Sequence, residues 1–198
     1  MFALIFGLSF LANAQDVQNN QPKGYQFTDI KRLPANSVKD QARAGTCWAW
    51  SGISFFESEM IRMGKEPIDL SAMYIVRHAY SDKATKFVRL HGNMNFAVGG
   101  AFCDVMHVIQ NYGIVPMDVY KGLNYGEPNH AFGEIDDVLA GYINAVIKNS
   151  NKKLSTAWKK GFDGILDAYL GEEPEKFEYK GKEYTPRTFA DEVVGLNM

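Results

Sequence analysis

Cys47 stands six residues after Gln41 in the run Gln41-Ala-Arg-Ala-Gly-Thr-Cys47-Trp48-Ala-Trp-Ser51. From Ala49 onward apolar residues fall at Ile53, Phe56, Met60 and Met63, in alternating steps of four and three, with Trp48, Trp50 and Phe55 thickening the stripe. That spacing predicts a buried helix opening at Thr46-Cys47 and stopping at Gly64. A cysteine in the first turn of a helix feels unpaired N–H groups and the positive dipole end, both of which favour thiolate, the nucleophilic form, over thiol. The Gln41 side-chain amide and the backbone N–H of Cys47 are two donors beside that nucleophile, which is what stabilising the oxyanion of an acyl transfer requires.

The elements that must position these groups are mostly helical. Tyr25 to Val38 reads as an extended lead-in with a short strand. Ser71 is placed as the N-cap of a short helix through His78. A further helix spans about Ala101 to Tyr112, with Phe102, Val105, Met106 and Ile109 on one face and Gly113 after its end. Gly99-Gly100 just before it is either a plain turn or a place where the backbone approaches something closely. Ile135, Val138, Leu139, Tyr142, Ile143 and Val146 make another stripe, acidic at its start and basic beyond its end, as the helix dipole favours. Trp158, Phe162, Ile165, Leu166 and Tyr169 make one more. Phe177, Tyr179 and Tyr184 flank Lys180-Gly181 as in a small hairpin, and Thr185-Pro186 opens a last helix toward Val194.

The 198 residues are enough for one domain and a core: 46% are apolar, and no apolar run is long enough to span a bilayer. Lys and Arg total 21 against 23 Asp and Glu, a net charge of −2 that offers no general attraction to nucleic acid or anionic lipid. Two cysteines make neither a disulfide scaffold nor a four-cysteine zinc site; no metal or organic cofactor is implied. Cys103, set among apolar helix residues, reads as a small buried hydrophobe. Met1 to Ala14 (MFALIFGLSFLANA) has a short apolar core and ends in Ala12-Asn13-Ala14, a pattern that signal peptidase accepts, although no basic residue precedes the core. Residues 1–14 are therefore expected to be a signal peptide and 15–24 a polar linker, with the protein exported to a periplasmic or extracellular compartment.

The Gln41–Ser51 run resembles the active-site segment of papain-like cysteine peptidases. Leu70-Ser71, Gly99-Gly100-Ala101-Phe102 and Asn111-Tyr112-Gly113-Ile114-Val115-Pro116 resemble the cleft glycines and following helix of that superfamily. The runs Leu170 to Phe177 and Tyr184-Thr185-Pro186 are similar to the helical insertion of the bleomycin hydrolase and aminopeptidase C branch. Ala44, where secreted papains usually carry a disulfide cysteine, fits that branch. The resemblance implies an α+β fold of which this chain holds mainly the helical lobe (25–124) and a helical insertion (125–198), with the β-rich lobe largely missing. It implies that Cys47 is the nucleophile and Gln41 the oxyanion donor, and that Gly99, Gly100 and Trp48 lie at the substrate cleft; on their pattern, Trp48 and Trp50 read as core rather than as substrate contacts. The implied partners are peptide substrates and further subunits of a homo-oligomer, a hexamer in this branch, in which the enzyme's own C-terminal carboxylate meets the substrate's amino terminus.

Papain-like catalysis needs an imidazole and a group to orient it. In ordinary papains His and Asn follow the cysteine by ~130–150 residues, yet no histidine follows His130 here. His78 and His107 fall in helix patterns and read as structural, while His91 and His130 read as solvated loop residues. The general base and its orienting Asn are thus absent, as an N-terminal half of that branch would show, and the face that normally docks the second lobe is expected to be exposed and apolar. Two functions follow: a cysteine-type aminopeptidase of which this is the N-terminal portion, inactive alone, or a non-catalytic exported half-fold or truncated remnant that binds peptides or a partner. A redox thiol protein is less well supported, since no second cysteine is placed to resolve a disulfide.

Overall fold

The structure, a computed structural model, describes residues 28–195. The segments read as signal peptide and linker, 1–14 and 15–24, lie outside the described residues. Residues 28–33 are irregular, and from Pro34 the chain forms one unit. Ser71 turns the chain into helix, its Oγ accepting the Tyr74 N–H at 3.0 Å while donating to the Tyr120 carbonyl at 2.6 Å. The helix that follows is the organising element. It runs Ala72–Arg89, and every residue from Ser71 to Tyr80 is buried. A helix stretch buried all round needs neighbours that cover it on several sides.

In chain order the helices are α1 (Cys47–Arg62), α2 (Ala72–Arg89), α3 (Phe102–Tyr112), α4 (Gly133–Ile147), α5 (Trp158–Leu170) and α6 (Pro186–Phe189). Strands β1 (Phe177–Tyr179) and β2 (Lys182–Tyr184) pair antiparallel, with Phe177 opposite Tyr184. Helix α2 packs against α1, α3, α4 and α5. Ile53, Phe56 and Met60 of α1, Val105, Val108 and Ile109 of α3, Ile135, Leu139 and Ile143 of α4, and Phe162 and Leu166 of α5 close over it. Among the described residues no helix is long and apolar enough to cross a membrane. The body is mainly helical with one small hairpin, as expected for a helical lobe and insertion.

The last segment is fastened by the carbonyls that a helix end leaves unpaired. Arg187 donates to the Ile109 and Gln110 carbonyls at 2.6 and 2.8 Å, and the Ile114 N–H reaches the Pro186 carbonyl at 3.1 Å. Thr185 caps α6 through the Thr188 N–H, with Pro186 in the first turn, as the sequence indicates. Beyond Phe189 the helix widens into a π turn, Ala190–Val194, that the sequence pattern does not announce.

Five expectations change. No strand forms among residues 28–38. Helix α2 runs well past His78, because Ala84, Phe87 and Val88 stay buried and the chain turns only at His91 and Gly92, both at positive φ. Met63, Phe55 and Phe102 are exposed although placed on the buried stripe; Phe55 meets Phe102 edge to face at 5.4 Å, so some apolar surface does lie open. Cys103 is exposed, not buried. His130 is buried, because its backbone pairs with the loop before α1 and its ring fits between Trp50 and Phe132.

The most heavily charged part of the interior joins α2 to the loop after α5. Arg77 reaches Asp167 at 2.5 Å and Glu173 at 3.1 Å; His78, stacked on Tyr112 at 4.1 Å, has Nε2 2.8 Å from Glu173 Oε1; and the Tyr74 hydroxyl donates to Glu173 at 3.4 Å. A buried guanidinium is tolerated only with such partners. Burial raises the Glu173 pKa, but His78, Arg77 and Tyr74 outweigh it and hold the carboxyl below its ordinary range. A carboxylate held low in the folded state contributes stability above its unfolded pKa of ~4.3, and loses that contribution as pH falls through the lower folded value. Glu173→Gln is therefore expected to flatten the loss of thermal stability on acidification below that pH, measured as melting temperature against pH. An unchanged acid slope would show that Glu173 does not carry it.

Candidate active site

The loop entering α1 is held by its own side chains and by a distant segment. Asp40 Oδ1 accepts the Ala42 N–H at 2.8 Å, which supports Ala42 at φ 50. The Ala44 N–H reaches the Gln41 carbonyl at 3.2 Å, and Gly45, at φ 65, supplies the left-handed turn that other residues resist. Arg43 pairs with the 130–132 segment: its N–H donates to the His130 carbonyl at 2.8 Å and its carbonyl accepts the Phe132 N–H at 3.2 Å. Ala44 and Thr46 are fully buried, so the loop is anchored from beneath while Cys47 stays exposed.

Thr46 occupies the N-cap position of α1 yet does not cap it. Its Oγ1 instead accepts the Trp50 indole N–H at 3.1 Å, and its carbonyl takes the N–H groups of Ala49 and Trp50. The N–H groups of Cys47 and Trp48 consequently have no acceptor among the described residues. Unpaired donors at a helix start form a site for negative charge, and one of these two belongs to the thiol-bearing residue itself. Gln41 is half-buried six residues upstream, and its side-chain amide has no hydrogen-bond partner among the described residues.

Trp48 connects Cys47 to the glycine pair. Its side chain is buried, its Nε1 donates to the Val98 carbonyl at 3.0 Å, and its ring lies against Gly100 so closely that a Cβ there would stand 2.5 Å from Cε2. Gly100 therefore marks a close approach rather than a plain turn. At Gly99 an added Cβ would meet nothing within 4 Å. Both glycines are exposed on the side away from the indole.

None of the four histidines hydrogen-bonds to Cys47. His107 has Nε2 3.1 Å from Asp82, His78 belongs to the Glu173 network, and His91 is exposed on the turn after α2. His130 sits edge-on to Trp50 at 6.0 Å with Nδ1 unpartnered, and burial pushes its pKa below the usual imidazole value. Sequence reasoning did not anticipate the diverted side chain of Thr46, the His130 prop beneath Trp50, or Lys83, which donates to the Gly99 carbonyl. A threonine four residues before a tryptophan is a signal that could have revealed the first. The other two are long-range pairings with no local signature.

Residues 22–159 match the model of the papain family cysteine proteases, and the chain belongs to that family. Among solved structures it is similar to PepW from Lactobacillus rhamnosis HN001 (DR20), with a TM-score of 0.58 and 21% identity over 83% of this chain and 45% of that one. The likeness carries the fold, and the chain spans less than half the length of PepW. No curated protein matches the sequence.

The glycine pair gives a contrast that can be measured. Gly100→Ala must displace an indole fixed by its own hydrogen bond, and is expected to lose ~1–3 kcal/mol of stability in denaturant unfolding, the ordinary cost of overpacking. Gly99→Ala should stay within about 0.5 kcal/mol of wild type, as an unobstructed surface change does. Equal losses at both positions would contradict the packing described.

Proposed function

We propose that this chain supplies the nucleophile-bearing part of a cysteine-type aminopeptidase of the bleomycin hydrolase type, and that it does not turn over substrate alone. The observation that carries this reading is the exposed Cys47 thiol whose own N–H is left unpaired by the diverted Thr46. In this chemistry the Cys47 thiolate attacks the substrate carbonyl carbon, and the carbonyl oxygen becomes an oxyanion accepting from the Cys47 N–H and the Gln41 amide. The oxyanion then collapses, the C–N bond breaks, and the amine leaves with a proton from an imidazolium. Water cleaves the remaining thioester, releasing the acyl group as a carboxylic acid and returning the thiol.

That imidazole, and the Asn that orients it, are expected from a β-rich lobe that these 198 residues do not include. The reading is supported by the lack of any histidine bonded to Cys47 and by the coverage of less than half of PepW. Residues 25–124 form the nucleophile lobe and 125–198 the insertion; export, and assembly of the whole enzyme into a homo-oligomer, belong to the same proposal. A second reading, a non-catalytic peptide- or partner-binding half-fold, is favoured by the same missing base.

Hydrolysis of a fluorogenic amino-acid amide separates the two. The 198-residue chain is expected to show no turnover above its Cys47→Ala variant. A polypeptide joining it to a lobe with His and Asn should turn over, and Cys47→Ala should abolish that activity. Cys47-dependent turnover by the 198-residue chain alone would overturn the claim of inactivity, and a joined polypeptide with no turnover would favour the binding reading.

A further inference from the structure

Lys83 lies on α2, far from Cys47 in sequence, and its ammonium is spent on the glycine edge. It donates to the Gly99 carbonyl and, at 3.2 Å, to the Ala97 carbonyl. It also stands 5.5 Å from the centre of the Trp48 ring and 6.0 Å from that of Tyr80, within cation–π range of both. No carboxylate forms an ion pair with it among the described residues. Holding a lysine side chain in one place costs rotamer freedom, and here that ordering serves backbone carbonyls rather than a countercharge. Burial, opposed by Asp104 and Asp136, lowers the Lys83 pKa.

Together with Trp48, which binds the Val98 carbonyl, Lys83 engages three successive carbonyls, those of residues 97, 98 and 99. In a trans peptide the C=O and the following N–H point in opposite directions. Turning the Gly99 carbonyl in toward Lys83 therefore turns the Gly100 N–H out, and that N–H has no acceptor among the described residues. An outward, unpaired backbone N–H beside the nucleophile's helix is a donor for the backbone carbonyl of a bound peptide.

We propose that Lys83 is a positioning residue of the peptide cleft: by holding the Ala97 and Gly99 carbonyls against the Trp48 face, it orients the 97–100 edge so that Gly100 N–H meets substrate. The inference rests on reading Gly99-Gly100 as cleft wall. It adds a role for a side chain that touches neither substrate nor the reacting atoms.

The test uses the 198-residue chain in a Cys103→Ser background and reads alkylation of Cys47 by mass spectrometry. A dipeptidyl chloromethyl ketone is compared with chloroacetone, which has the same reacting group and no peptide. In both cases the thiolate displaces chloride: the S–C bond forms, the C–Cl bond breaks and the thiol proton passes to buffer. Wild type is expected to favour the dipeptidyl reagent. Lys83→Met should cut that preference about tenfold, the scale of a lost charge-assisted hydrogen bond, with the chloroacetone rate unchanged; Lys83→Arg should restore most of it. A folded Lys83→Met that keeps the preference overturns the proposal, and a wild type with no preference overturns the cleft reading itself. One readout needs no variant. The Gly100 amide should exchange freely in the unlabelled chain and become protected in the dipeptidyl adduct; protection before labelling, or none after it, overturns the proposal.

Discussion

The structure turns on where Thr46 spends its hydroxyl. Had Oγ1 capped α1 in the usual way, it would have taken a first-turn N–H and reduced the charge-binding capacity of the helix start. It accepts the Trp50 indole instead, and Trp50 in turn lies against His130, whose backbone anchors Arg43. The loop before α1 is thereby tied to the interior through side-chain and backbone contacts that avoid the N–H groups of Cys47 and Trp48. A donor kept unpaired in a rigid setting needs no reorganisation when charge develops beside it, which is the condition for electrostatic stabilisation of an oxyanion.

The same economy holds across the site. Trp48 sits one residue after the thiol and shapes the glycine edge from below through the Val98 carbonyl and its contact with Gly100. Lys83 reaches that edge from α2, so this buried helix sets the surroundings of Cys47 as well as the core. Arg77, His78 and Glu173 tie the same helix to the loop after α5. Movement of α2 would be felt at all three places.

Most helices were legible because their stripes are regular: α1, α3, α4 and α5 begin and end within a residue or two of the positions their periodicity, caps and glycines indicate. The hairpin was legible too, since Lys180-Gly181 takes the positive φ values of its turn. Helix α2 is longer than its sequence pattern indicates. A one-stripe pattern has a clear edge, whereas α2 is buried all round over its first half, and its polar residues lie against partners far away in sequence, such as Glu173 beside His78 and Asp163 beside Ser81. Cys47 and Gln41 could be singled out as candidates because the chemistry proposed for them depends on short spacing. The exposure of Cys103 and the burial of His130 could not, because each depends on which neighbour covers the residue.

The central claim is that the backbone donors at the start of α1 are kept free while the loop before them is locked. Amide hydrogen exchange, resolved residue by residue on the folded chain, tests it most directly. Slow exchange at Arg43, Phe132 and Ala49, whose N–H groups are bonded, with fast exchange at Cys47 is the predicted result. A Cys47 amide as protected as that of Ala49 would mean that its N–H already has an acceptor, and would contradict the account.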